Sequence, residues 1–379
     1  MLYYIILCIL VISLYFTAST KRYFLFSDFI EKCCIYFAII ISATRVDVGL
    51  DYNSYLSQIR RIAAIGGQGF GDFFTGWSFN TLINFISQIK IIGFTEEFRI
   101  IIAISSIITI IANLSFIKTF SIPNLQKQAV GMYLLIPLFY LASFNVIRSS
   151  LSISFLYFAM VILLKKKNII YSILLVILSI TTHAIGIIFL STSLLTFILD
   201  KFFTSKPKLS LIIFFILILA FWNIFSSGLT PTLINIYSYF PFPDHYLISG
   251  FEEFVQGKGI GLISVIPISL LSAFFYFLLM KNSEIRIQFI RVQLISCTFI
   301  PLIIFLSGVI TYAQYVRLIS PYLIFLMLAF LELIDRLNNF KLLGSQIFIY
   351  SISVLYFFRN IYVSGEITNL LPYSSWLLP

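Results

Sequence analysis

An all-α, polytopic membrane protein is the fold class this sequence predicts, on three observations. Of 379 residues, 60% are hydrophobic and only 11% are charged, too little polar surface to cover a soluble fold. Apolar runs of about 15 to 20 residues recur from end to end, the length a helix needs to cross a bilayer. These runs do not alternate apolar with polar residues as the strands of a membrane β-barrel do. The mean hydropathy of +1.02 agrees.

Taken in order, the runs predict about twelve spans, near residues 2–18, 29–43, 98–117, 129–147, 149–164, 168–182, 184–199, 209–225, 262–280, 293–310, 318–334 and 342–358. Lys21 and Arg22 follow the first run instead of preceding it, which predicts a first helix with its N-terminus outside and not a cleaved signal peptide. Cys8, Cys33, Cys34 and Cys297 lie in or beside apolar runs without metal-ligand spacing, so they read as small core residues.

Charge sets the orientation. The loops around Lys21–Lys32, Lys118–Gln128, Lys165–Lys167, Asp200–Lys208, Lys281–Gln293 and Glu332–Lys341 hold 16 basic residues against six acidic ones. The remaining basic and acidic residues balance, so the formal net charge of +10 belongs to one face, the cytoplasmic one. It is a topology signal and calls for no nucleic acid. The cytoplasmic loops are short and carry no Gly-rich phosphate loop, which excludes a built-in ATPase. The length is spent outside instead, in loops of about residues 44–99 and 226–261, so the working face is external.

The first external loop opens with Arg45-Val46-Asp47-Val48-Gly49-Leu50-Asp51-Tyr52. An amphipathic stretch follows in which Tyr52, Tyr55, Leu56, Ile59 and Ile62 share a helical face, with Asp51 as N-cap. Residues 66–76 then hold five glycines, a flexible connection. Residues 77–92 are apolar, but Asn80, Asn84, Gln88 and Lys90 argue for an interfacial or re-entrant helix. The second loop sets Tyr237, Tyr239, Phe240 and Phe242 beside Asp244 and His245, a pattern that on composition alone fits an aromatic interface belt first, and that also suits sugar faces and hydroxyls.

Arg148 stands between two apolar segments on the side poor in basic residues. A boundary arginine there is costly and offers a planar fork for phosphate, whereas a snorkelling arginine belongs more often to the cytoplasmic side. His183 ends a later span. It is either a packed imidazole bonded to a neighbouring carbonyl or a titratable group beside a substrate. Spans 149–164 and 168–182 predict a tight hairpin across Lys165–Lys167, which brings Arg148 and His183 to one external level. Ser150, Ser154 and Ala159 predict close packing along it. Arg317, flanked by Tyr312 and Tyr315, reads as an interface anchor or as a second clamp on a pyrophosphate. Asp47, Asp51 and Tyr55 lie four residues apart, either as caps and a surface pair with Arg45 or as a carboxylate placed to take a hydroxyl proton.

In order and spacing, Arg45–Tyr55, the stretch FNVIRSSLSISF (144–155), Lys165–Lys167 and TTHAIGIIFL (181–190) resemble the EpsG-like branch of the Wzy-type polysaccharide repeat-unit polymerases. That group often carries R-Q-x-L-A where this chain has Arg148-Ser149-Ser150-Leu151-Ser152, so no role of the glutamine transfers. The resemblance implies a GT-C-like glycosyltransferase in the bacterial inner membrane, with neither metal nor cofactor and with its active face periplasmic. Such an enzyme moves a glycan from undecaprenyl pyrophosphate to a sugar of another lipid-linked repeat unit, beside a flippase and a chain-length regulator. It points to Arg45, Asp47, Gly49, Asp51 and Tyr52, then Arg148, then His183. Together with the residue reading, this assigns catalysis to His183, Asp51 and Arg148. Pyrophosphate binding falls to Arg148, Arg317 and Arg45, and acceptor binding to Asp47, Tyr52, Tyr55, Asp244 and His245. An O-antigen ligase or a lipid-linked oligosaccharide flippase are the alternatives; the first expects its large loop late in the chain, the second internal repeats and midplane charges.

Overall fold

The computed structural model describes residues 2–18, 24–49, 76–88, 97–137, 139–166, 168–210, 262–299 and 312–338, with isolated positions elsewhere, among them 52, 57 and 374–375. Within these the chain is helical, and it divides into two compact units, residues 1–188 with 331–379, and residues 189–330.

The first unit is built from helices α1 (Leu2–Ala18), α2 (Phe24–Thr44), α3 (Trp77–Gln88), α4 (Glu97–Phe120), α5 (Gln126–Leu135), α6 (Ala142–Asn145), α7 (Ile147–Lys166) and α8 (Ile169–Thr182). α2 packs on α1 and α4, α4 on α7, and α7 on α8, while the short α3 lies against α4 and α8. Its two ends differ in chemistry. At one, Lys118 pairs with Glu31 and Lys127 pairs with Asp28, all from loops assigned to the basic face. At the other lie Arg45, Tyr52, Gly76, Arg148 and His183. The segregation matches the sidedness derived from charge.

Two spans are redrawn. Residues 129–147 do not form one helix. Pro137 has no N–H to offer and forces the preceding residue out of the helical region, so Ile136 turns extended (ψ 113°) and α5 stops at Leu135. A turn closed by Ala142 N–H onto the Pro137 carbonyl (2.8 Å) leads into the four-residue α6. The chain then breaks at Val146 (φ −132°, ψ 54°), so Arg148 stands in the first turn of α7, not in a gap between spans.

The second redrawn span lies in the second unit. This unit holds most of α9 (Ile185–Ser205), α10 (Leu262–Leu279), α11 (Ile285–Thr298) and most of α12 (Tyr312–Asn338). α11 begins well before residue 293, because Arg291 is not a loop charge. It is buried, and its Nε and Nη2 donate to the Asp200 carboxylate at 3.1 and 2.9 Å. Its Nη1 turns to the Met280 and Asn282 carbonyls that close α10. Tyr276 donates to the same carboxylate at 3.2 Å. Charge read as solvent exposure hid a paired core.

Among the described residues three helical stretches are long and apolar enough to cross a membrane, Arg99–Phe120, Ile147–Lys165 and Ile185–Ser205. Leu2–Ala18, Ile169–Thr182 and Pro267–Leu279 are apolar and shorter. The expected spans 209–225 and 342–358 lie largely outside the described residues, as does the second half of 293–310. α3, with 12 residues, is about 18 Å long and too short for a crossing. It buries Phe79, Asn80 and Ile83 and exposes Trp77 and Phe85.

Candidate functional site at one end of the α7–α8 hairpin

The first motif is held by its own arginine. Arg45 is 2% exposed, and its Nη1 donates to the Ser42 carbonyl, to Ser42 Oγ (2.9 Å) and to Ser106 Oγ on α4 (3.0 Å). Its guanidinium lies 4.5 Å from the ring centroid of Phe144, a cation–π contact. The Arg45–Val46 backbone pairs with Ser374–Ser375 in a two-residue antiparallel ladder, Arg45 opposite Ser375. After it, Asp47 adopts a left-handed φ of 54° and is exposed, and Gly49 takes φ 105°. Aspartate tolerates that region better than most side chains and glycine supplies it freely. The reversal is closed by Tyr52 N–H onto the Gly49 carbonyl (3.1 Å).

That reversal drives Tyr52 inward. Its ring is 3% exposed and packs in one cluster with Phe79 and Ile83 of α3, Ile101 and Ile102 of α4, and Ile147 and Leu151 of α7. The cluster brackets Arg148 in sequence. The first motif is thereby joined to the second by hydrophobic burial, the least directional and most general of packing forces. Arg45 and Tyr52 both occupy core positions suited to anchoring this end.

The hairpin is closed by small polar residues. Ser152 Oγ on α7 reaches the Ser179 carbonyl (2.9 Å), Ser179 Oγ (3.0 Å) and the His183 carbonyl (3.4 Å) across the interface. Lower down, Ser172 Oγ donates to the Ala159 carbonyl at 3.1 Å. Ser154 and Ala159 are buried, as their size predicts, but Ser152, not Ser150, makes the cross-helix bonds; Ser154 Oγ turns back to the Ser150 carbonyl. Gly186 seals the approach, because a Cβ there would collide with Ser179 Oγ and stand 2.9 Å from Ser152 Oγ.

The two central residues both stand at this end. His183 follows α8 in extended conformation (φ −162°, ψ 143°), half-buried. Its Nδ1 accepts the Ile185 N–H at 3.1 Å. An accepting Nδ1 carries no proton, so the neutral ring carries it on Nε2 and presents that edge as a donor. Arg148 Nη1 lies 3.1 Å from the Cβ position of Gly76, and the Thr182 carbonyl oxygen lies 3.7 Å from the same position. Gly76 itself begins α3: its φ is 134°, and its carbonyl takes the Asn80 N–H at 2.9 Å. Ser78 Oγ hydrogen-bonds Thr181 Oγ1. The guanidinium, which rises from the first turn of α7, and the start of α3 therefore both lie beside the Thr182 carbonyl. A cation in the first turn of a helix opposes the helix dipole by about 0.3–1 kcal/mol, and an anion in the same place reverses the sign.

Of the other residues singled out, Arg317 lies in α12, and its side chain is outside the described residues. Asp51, Tyr55, Asp244 and His245 also lie outside them, as does most of the amphipathic stretch 52–62. Among the described residues no three His, Cys, Asp or Glu side chains come together. Reading the sequence did not find Gly76, Ser78, Ser152 or Ser179. Small residues facing each other at Ser152, Ser179 and Gly186 were the available signal for the hairpin.

No curated protein and no solved structure matches the chain. One family model does, that of the EpsG family, over residues 28–375. The match takes in all three motifs and nearly the whole sequence, and the chain belongs to the EpsG family, a group related to the Wzy-type polymerases.

Proposed function

We propose that this protein polymerises lipid-linked repeat units of an O-antigen, capsule or exopolysaccharide on the external face of a bacterial inner membrane. The growing glycan leaves undecaprenyl pyrophosphate and passes to a sugar hydroxyl of a second repeat unit, without metal or cofactor, in a GT-C-like helical fold. The observation that carries this reading is that Arg148, in the first turn of α7, lies beside the start of α3 and the Thr182 carbonyl that precedes His183. Such a site suits a pyrophosphate, whose negative charge grows as the glycosidic bond breaks.

In this mechanism Arg148 binds the pyrophosphate through its planar fork and stabilises the departing charge, with Arg317 as a second clamp. His183 donates from Nε2 to a phosphate oxygen. Asp51 takes the proton of the attacking hydroxyl, and Asp47, Tyr55, Asp244 and His245 hold the acceptor sugar. Arg45 and Tyr52 act from the core by fixing the first motif. A flippase delivers the substrate, and a chain-length regulator limits the product.

The test uses purified full-length protein with lipid-linked repeat units and no ATP or metal. A ladder of polymer with released undecaprenyl pyrophosphate is the expected result, and Arg148→Ala should leave single repeat units. Transfer to a lipid A core instead would make the protein a ligase. Movement of intact substrate between leaflets would make it a transporter.

A further inference from the structure

The start of α3 lies closer to Arg148 than connection alone requires. Gly76 follows the glycine-rich stretch of the first external loop, and the Cβ position of Gly76 lies 3.1 Å from Arg148 Nη1 and 3.7 Å from the Thr182 carbonyl oxygen. Two independent features demand glycine here. The φ of 134° lies in a region that side chains disfavour. In addition, a methyl group would stand 3.1 Å from Nη1, tighter than ordinary contact, so the guanidinium would have to shift. Two residues on, the Ser78–Thr181 hydrogen bond ties the same turn to the last turn of α8. Phe79 and Ile83 fill the cluster beneath, against Ile147 and Leu151 on either side of Arg148.

We propose that Gly76 is a positioning residue for Arg148: by lacking a side chain it lets the start of α3 pack against the guanidinium, and the Ser78–Thr181 bond latches that contact. This rests on Arg148 binding pyrophosphate. The start of α3 then completes the anion site instead of only bordering it, because the positive end of that helix arrives with Gly76. Asn80, one turn on, donates its N–H to the Gly76 carbonyl and sets the helix direction.

Two measurements on the full chain in lipid nanodiscs test it. The first needs no activity. A Ser78→Cys, Thr181→Cys pair should form a disulfide on mild oxidation, identified by mass spectrometry of the linked peptides. Folded protein that fails to cross-link overturns the latch. The second titrates inorganic pyrophosphate. Gly76→Ala should weaken binding about tenfold where Arg148 is present and leave the residual affinity of Arg148→Ala protein unchanged, since the two act through one contact. An equal loss in both backgrounds makes Gly76 a merely structural glycine and overturns the proposal. A native chain with no pyrophosphate affinity removes the reading beneath it, an outcome distinct from either of these.

Discussion

Gly186, at the start of α9, approaches Ser152 of α7 so closely that a single added methyl group at residue 186 would stand 2.9 Å from Ser152 Oγ. The space is occupied by hydroxyls that also hold the Ser179 and His183 carbonyls. Gly186→Ala therefore overpacks a closed interface and should cost about 1–3 kcal/mol. Ser152→Ala, which removes hydrogen bonds without adding volume, should cost about 1 kcal/mol. Thermal unfolding of the purified variants checks the order. A Gly186→Ala protein as stable as the native one would show that the hairpin is looser than drawn.

His183 offers a test of its own geometry. Glutamine can place an N–H near the position of Nε2, whereas asparagine can replace only the Nδ1 acceptor that holds Ile185 N–H. If His183 serves as a donor, His183→Gln keeps a substantial share of polymer-forming activity, and His183→Asn and His183→Ala fall by about 100-fold or more. Polymer ladders from the three variants decide it. Equal inactivity of the glutamine and alanine forms would show instead that the ring must move a proton.

Asp200 and Arg291 form the buried charge pair of the second unit, with Tyr276 as a third partner. Breaking such a pair from one side leaves an uncompensated charge, so Asp200→Ala or Arg291→Ala should each cost about 3–5 kcal/mol. Asp200→Leu with Arg291→Met removes both charges and should recover much of that loss. Melting temperatures in detergent separate the cases. Single variants that unfold like the native chain would place the pair at a wetted surface.

Asn80 is 7% exposed, and its amide oxygen has no hydrogen-bond partner among the described residues. A buried unmatched acceptor costs about 1–3 kcal/mol. Asn80→Leu should accordingly raise the melting temperature. If it also lowers polymer formation, the amide is kept for ligand and not for the fold. A stabilised and fully active variant would show that it contributes to neither.

How much of this was legible in the sequence depended on what each residue had to do. The hairpin across Lys165–Lys167 and the shared level of Arg148 and His183 followed from run length and turn position, and both are present. The sidedness followed from counting charges, and Glu31–Lys118 and Asp28–Lys127 collect where that count put them. The α5 break required weighing one Pro137 against a long apolar run, and hydropathy alone outvoted it. Arg291 was placed in a loop because a charge was taken as a mark of water, while its partner Asp200 lies 91 residues away. Gly76 was invisible for a simpler reason: a glycine among five between residues 66 and 76 does not announce which of them faces a guanidinium.

The ladder between Arg45–Val46 and Ser374–Ser375 carries a consequence for the order of assembly. Helices α1 to α8 can pack as they leave the ribosome, from neighbours close in the chain. The strand at Arg45 cannot, because its partner is made some 330 residues later. Loop closure over that separation must wait until Ser374 and Ser375 have been made. The motif that emerges first among the three is thus the last to be completed, and a nascent chain stopped before Ser374 would carry Arg148 and His183 on a finished hairpin beside an unfinished first motif.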